Sequence, residues 1–122
     1  MGYHHVDPED VEPFDAPGRD FRSIGRAVGI ETLGLSHVTA APGEQIPLKY
    51  HFHEQQEEAF YVIEGPLHVE TPEAEYVIEA GELFVVEPEH PHRAYNPADA
   101  EGKIEVLAVG APSVDDAQPY EG

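Results

Sequence analysis

From residue 24 to residue 109 the chain is cut into short apolar runs, about eight to twelve residues from one start to the next, with turn-forming residues between them. The runs fall at 24–30, 33–40, 48–52, 59–63, 67–71, 76–78, 83–86, 92–95 and 104–109. Separators such as Ala41-Pro42-Gly43, Glu64-Gly65-Pro66, Glu87-Pro88-Glu89 and Asn96-Pro97-Ala98 combine residues that fix or free φ and so reverse the chain. No stretch keeps a helical period for more than about two turns. Many short strands at this spacing predict an all-β fold, a sandwich or barrel of antiparallel sheets. Residues 1–20 and 112–122 are acidic, broken by proline and aperiodic, and read as an N-terminal arm and a C-terminal tail around one domain over 21–111.

Charge narrows the partners. Against 25 Asp and Glu stand 6 Lys and Arg, a formal net charge of −19, which repels phosphate backbones and anionic lipid. Nucleic-acid and membrane-surface roles are therefore not expected. No window approaches the roughly 20 apolar residues of a membrane span, and the first residues lack the basic and then apolar order of a signal sequence. The expectation is a cytoplasmic protein. The acids run the length of the chain and only Lys49 and Lys103 are lysine. Such a coat resembles proteins of salt-accumulating halophiles, where like charges are screened within about 3 Å at about 1 M salt, and it suggests a halophilic archaeal source over an ordinary acidic mesophile.

There is no cysteine, so chemistry falls to His, carboxylate, Tyr and Lys. His51 and His53, two apart on one strand, share a face. Glu57 and Glu58 follow across the polar turn Glu54-Gln55-Gln56, and His92 lies some forty residues on, with Asn96 on its face. Two imidazoles, a third from a distant strand and one carboxylate make a mixed N/O site for Mn, Fe, Ni, Cu or Zn. Alone, a His-x-His pair is more often a solvated strand face than a ligand pair.

The neighbours change that balance. Gly43…His51-x-His53-x4-Glu58-x6-Gly65 resembles the first motif of the cupin superfamily, and Gly81…Pro88…His92-x3-Asn96 resembles its second. The resemblance implies a double-stranded β-helix barrel, jelly-roll-like, of the small single-domain kind. It also implies a 3-His-1-Glu divalent metal centre of His51, His53, Glu58 and His92, and a homodimer. Glu58 is preferred to Glu57 because it alone stands seven residues before Gly65. Two departures stand out: seven residues rather than five separate Gly43 from His51, and the position that often carries glycine after Pro88 holds Glu89 or His90.

Strand parity extends the site. Lys49 shares a face with His51 and His53 and is a candidate to hold a substrate carboxylate or phosphate. Phe60 and Val62 would line the pocket with Glu58, and Ala94 and Asn96 with His92, Asn96 reading better as a turn cap. His37 is a tentative further site residue if it points inward with Leu33 and Leu35. His90, near the mouth, is a candidate proton shuttle. Tyr61 and Arg93 alternate outward. The segment 18–30, with Phe21, Ile24, Val28 and Ile30, is a candidate for exchange within a dimer.

These residues fit a metal-dependent enzyme on a small molecule, either an oxygenase or an isomerase of a sugar or keto acid. A phosphosugar site would want several Arg or Lys. The alternative is a non-catalytic module that binds a sugar or organic acid.

Overall fold

A computed structural model describes residues 2–13, 20–113 and 116–120, the side chains of 47–49 excepted. Its strands are β1 (Asp20–Ser23), β2 (Gly34–Ala40), β3 (Gln45–His53), β4 (Glu57–Glu64), β5 (Leu67–Glu70), β6 (Glu75–Ile78), β7 (Leu83–Val86), β8 (His92–Tyr95), β9 (Ile104–Ala111) and β10 (Ala117–Pro119). They form two five-stranded antiparallel sheets, ordered β1-β2-β9-β4-β7 and β10-β3-β8-β5-β6. The chain is thus all-β, with the two-sheet barrel architecture expected.

Between the sheets lies the core. Alternation on β2, β4 and β9 turns Val38, Ala40, Phe60, Val62, Ile104 and Val106 inward, and they meet Leu67, Val69 and Ala94 of the other sheet. Each fully buried side chain of this size contributes roughly 1.5–3 kcal/mol by leaving water, which makes this interior a rigid frame for the groups at its end.

One predicted strand is corrected. Residues 24–30 are not extended: α1 spans Ile24–Val28. The Ser23 side chain accepts from Arg26 N at 3.4 Å as an N-cap. Gly29, in the left-handed region at φ 79°, closes the other end by donating from its N–H to the Gly25 carbonyl at 2.9 Å. The alternation of Ile24, Arg26, Val28 and Ile30 imitated a strand, whereas both caps are local and outweigh it.

Part of the N-terminal segment is docked on this chain. Asp7 caps a 3₁₀ turn over Pro8–Asp10, and the Arg22 guanidinium donates to the carbonyls of Pro8, Glu9 and Val11 at 3.3, 2.9 and 3.2 Å. At the other end, β10 pairs with β3, Ala117 opposite His53.

Two irregularities shape the site end. The register of β3 against β8 shifts between Ile46 and His51, from Ile46 opposite Ala94 to His51 opposite His92. This bulge takes up extra length between Gly43 and His51 and lets Ile46 and His51, an odd number of residues apart, both point inward. Glu89 has φ 69°, so the position that often carries glycine is the one in the left-handed region, here held by a glutamate.

Candidate metal centre

His51 and His92 face each other as cross-strand partners on β3 and β8, their ring centroids 4.6 Å apart. His53 lies on the same face of β3. The turn after it crosses from one sheet to the other, so Glu58, early in β4, approaches the imidazoles from the opposite wall. That turn is held from two sides. Gln56 lies against Gly110, where any Cβ would come within 2.7 Å of its side chain, and Gln56 Nε2 donates to the Pro112 carbonyl at 3.0 Å. Asp116 accepts from the backbone amides of Gln55 and Gln56 at 2.6 and 3.0 Å.

The four donor atoms converge. Glu58 Oε1 lies 2.9 Å from His53 Nε2, 3.1 Å from His92 Nε2 and 3.8 Å from His51 Nε2, and the two Nε2 atoms of His51 and His53 are 3.0 Å apart. The donor atoms of His51, Glu58 and His92 all lie within 4.8 Å of one another. Donors about 2.0–2.2 Å from one cation and at right angles around it stand about 3 Å apart, so these separations fit a mixed N/O centre. His51 and His92 are 4% and 1% exposed, which is costly for imidazoles unless their polar atoms are engaged.

Proton placement points the same way. His92 Nδ1 donates to the His90 carbonyl at 3.1 Å, and His53 Nδ1 donates to Asp116 Oδ1 at 2.8 Å. With Nδ1 committed in both rings, it is Nε2 that faces the cluster, donating to Glu58 while it carries a proton and offering a lone pair to a cation once that proton leaves. Burial pushes the Glu58 carboxyl up, but hydrogen bonds from His51, His53 and His92 outweigh it and hold the group well below its ordinary value; Glu58 is an anion. For His53, burial lowers and the contacts with Glu58 and Asp116 raise, leaving it above its ordinary value.

The other expected site residues are placed differently. Phe60 lies beside the cluster, its ring 6.1 Å from that of His92, while Val62 and Ala94 are wholly inside the core. Asn96 is buried and donates from Nδ2 to the carbonyls of Ala40 and Gly102 at 3.1 and 2.9 Å, tying two loops together. His37 is not brought to the cluster: Val38 and Ala40 occupy the inner face of β2, and His37 bonds Glu105 at 3.2 Å on the outer face. The side chain of Lys49 lies outside the described residues. Arg93 faces outward, donating to Glu70 at 2.9 Å and Gln45 at 3.1 Å. Asp116 was not anticipated; it sits in an acidic tail, and no local spacing separates it from Asp115.

Residues 36–110 match the model of the Cupin domain family, more than half of the chain, and the chain belongs to that family. It is 29% identical over 101 residues to a protein described as polyketide synthase CurC from Streptomyces cyaneus, covering 81% of this chain and 64% of that one. The chain thus spans less than two thirds of that relative. Among solved structures it resembles the polyketide cyclase RemF from Streptomyces resistomycificus, with TM-score 0.80 and 20% identity over 98% of this chain and 87% of the other. It also resembles a sugar phosphate isomerase of the cupin superfamily from Silicibacter pomeroyi, with TM-score 0.75 and 22% identity over 88% and 75% of the two chains. At these identities the likeness establishes the fold.

Proposed function

We propose that the chain is a metal-dependent enzyme in which His51, His53, Glu58 and His92 hold one divalent transition metal and the substrate is a small carbonyl compound that gains or loses a proton. The observation that carries this reading is the approach of one carboxylate oxygen to three Nε2 atoms at 2.9, 3.1 and 3.8 Å at the end of the barrel. When bound, the metal supplies a Lewis acid that polarises a carbonyl oxygen. Glu58 contributes its negative charge, and Phe60 excludes water from the inner side. His90 is the proton carrier: its Nδ1 donates to the Pro88 carbonyl at 2.9 Å, which leaves Nε2 as the acceptor for a substrate proton. An isomerase and a polyketide cyclase among the similar folds are compatible with proton-transfer chemistry. The discriminating experiment is elemental analysis of protein purified without chelator or His-tag, followed by titration with Mn, Fe, Ni, Cu and Zn. One metal per chain, lost in a folded His51→Ala/His53→Ala variant, is expected; no retained metal and no binding on titration overturns the proposal. Solvent deuterium entering carbonyl probes with the wild type, and much more slowly with His90→Ala, tests the proton step.

We also propose that the chain pairs with a second copy through the outer face of β9, β4 and β7. Phe21 and Ile24 pack within their own chain, whereas Ile30 is 40% exposed; the more extensive exposed apolar surface lies on β4 and β7. Tyr61, Ile63, Leu83 and Val85 are 40, 46, 60 and 66% exposed, with Tyr61 opposite Leu83 and Ala59 opposite Val85. On a chain of net charge −19, this uncharged centre is where a like-charged copy approaches with least repulsion, and its acids at the rim match the usual anatomy of an interface.

A further inference from the structure

The sandwich is open between its two edge strands β6 and β7, and a cleft of about 460 Å³ enters there and reaches His92. Its size suits a ligand of two or three fused rings. Tyr76 and Phe84 form one wall, ring centroids 5.2 Å apart and planes 52° apart, with Val86 and Pro91 beside them; Glu73, Glu87 and His90 complete the lining. No Lys or Arg among the described residues lines it. Described cations are engaged elsewhere: Arg93 with Glu70, Arg22 with Asp20, and Lys103 near Glu105.

Two consequences follow from that lining. A phosphate or carboxylate entering the cleft meets Glu73 and Glu87 with no Lys or Arg beside them among the described residues, on a chain already at −19. A planar ring gains both burial and aromatic contact against Tyr76 and Phe84, and carboxylates accept from hydroxyl groups on its edge. We infer that the cleft binds an uncharged, planar, hydroxyl-bearing aromatic compound, with one edge directed to His92. This substrate class rests on the metal-centred reading above, because His92 belongs to both the cleft and the cluster.

The test is equilibrium binding by calorimetry to the metal-free and the metal-loaded protein, with 2,7-dihydroxynaphthalene, a hydroxynaphthoate of the same ring size and glucose 6-phosphate as probes. Anion exclusion by the lining is read in the metal-free form, since a divalent cation at His92 would itself attract the carboxylate or phosphate. The diol should bind at least ten-fold more tightly than the naphthoate, and the sugar phosphate should show no binding. Phe84→Ala should weaken the diol ten-fold or more; Phe84→Leu, which keeps apolar bulk without the ring, covers the case in which the alanine variant does not fold and should weaken it several-fold. Glu73→Gln/Glu87→Gln should narrow the gap between diol and naphthoate. Equal or tighter naphthoate binding in the wild type, or a diol affinity indifferent to Phe84, overturns the inference. Failure here is separable from failure of the metal reading. A protein that binds metal but not the diol loses only the cleft assignment. A diol that binds equally to the wild type and to the folded His51→Ala/His53→Ala variant, in a protein that takes up no metal, leaves the cleft standing without its centre.

Discussion

Asp116 offers the sharpest test of how the cluster is held. One of its carboxylate oxygens accepts from His53 Nδ1 at 2.8 Å and the other from the amides of Gln55 and Gln56 at 2.6 and 3.0 Å, so a single tail residue orients a ring and fixes the turn that carries Glu58 across to it. Burial raises the Asp116 carboxyl, but the hydrogen bonds from Gln55, His53 and Gln56 outweigh it and keep the group below its ordinary value. It is therefore an ionised partner that makes His53 more basic toward a metal. Removing such a partner typically costs 10- to 100-fold in metal affinity, or about 1.4–2.8 kcal/mol. Asp116→Ala loses all three contacts and should fall near the upper value. Asp116→Asn keeps one acceptor oxygen but turns an amide donor toward either His53 or the turn, and should fall near the lower. The assay is competition against a metal-binding dye with Zn²⁺ or Ni²⁺, accompanied by ¹⁵N spectra of the imidazoles, where the His53 tautomer ratio should shift only in these variants. Dissociation constants within two-fold of the wild type for both substitutions, in folded protein, refute the reasoning.

Glu89→Gly should stabilise the chain by up to about 1 kcal/mol in urea unfolding, because φ 69° strains a side chain but not a glycine; the donation from its N–H to the His53 carbonyl at 2.6 Å is retained, and an unchanged or lower midpoint contradicts this. Leu83→Glu should convert a dimer to a monomer by light scattering in high salt, since Leu83 is 60% exposed on the edge strand of the proposed face, opposite Tyr61; a dimer that survives the change places the contact elsewhere. Unfolding midpoints should rise between dilute buffer and molar KCl as the −19 charge is screened, and indifference to salt removes the halophilic reading. Burial, then the hydrogen bond to Glu75, pushes the Tyr95 phenol up to about 12. Since its folded value lies above the ordinary 10, the stabilisation it brings relative to Tyr95→Phe should be whole below pH 10 and vanish as pH rises through 12. A stability difference that is constant across that window excludes the effect.

What the sequence made legible follows from how local each determinant is. Strands such as β7 and β8 coincide with their apolar runs because alternation is a property of adjacent residues, and 24–30 failed because α1 is set by its caps at Ser23 and Gly29 rather than by alternation. Parity counting works only where pairing is uninterrupted: Ile46 and His51 are 3% and 4% exposed although a flat strand would place them on opposite faces, since the register shift between them resets the count. His37 shows the same limit in another form, for alternation on β2 divides two faces without saying which meets the core, and Val38 and Ala40 decide it. The four converging side chains were readable because buried histidine and glutamate are costly and therefore rare in a β core, so their spacing stands out against the background. Asp116 was not, because one more aspartate in an acidic tail carries no such signal until the chain closes and brings it 2.8 Å from His53, 63 positions away. The chemistry of the centre is written in uncommon residue types, whereas its support is written in common ones whose meaning comes only from the fold.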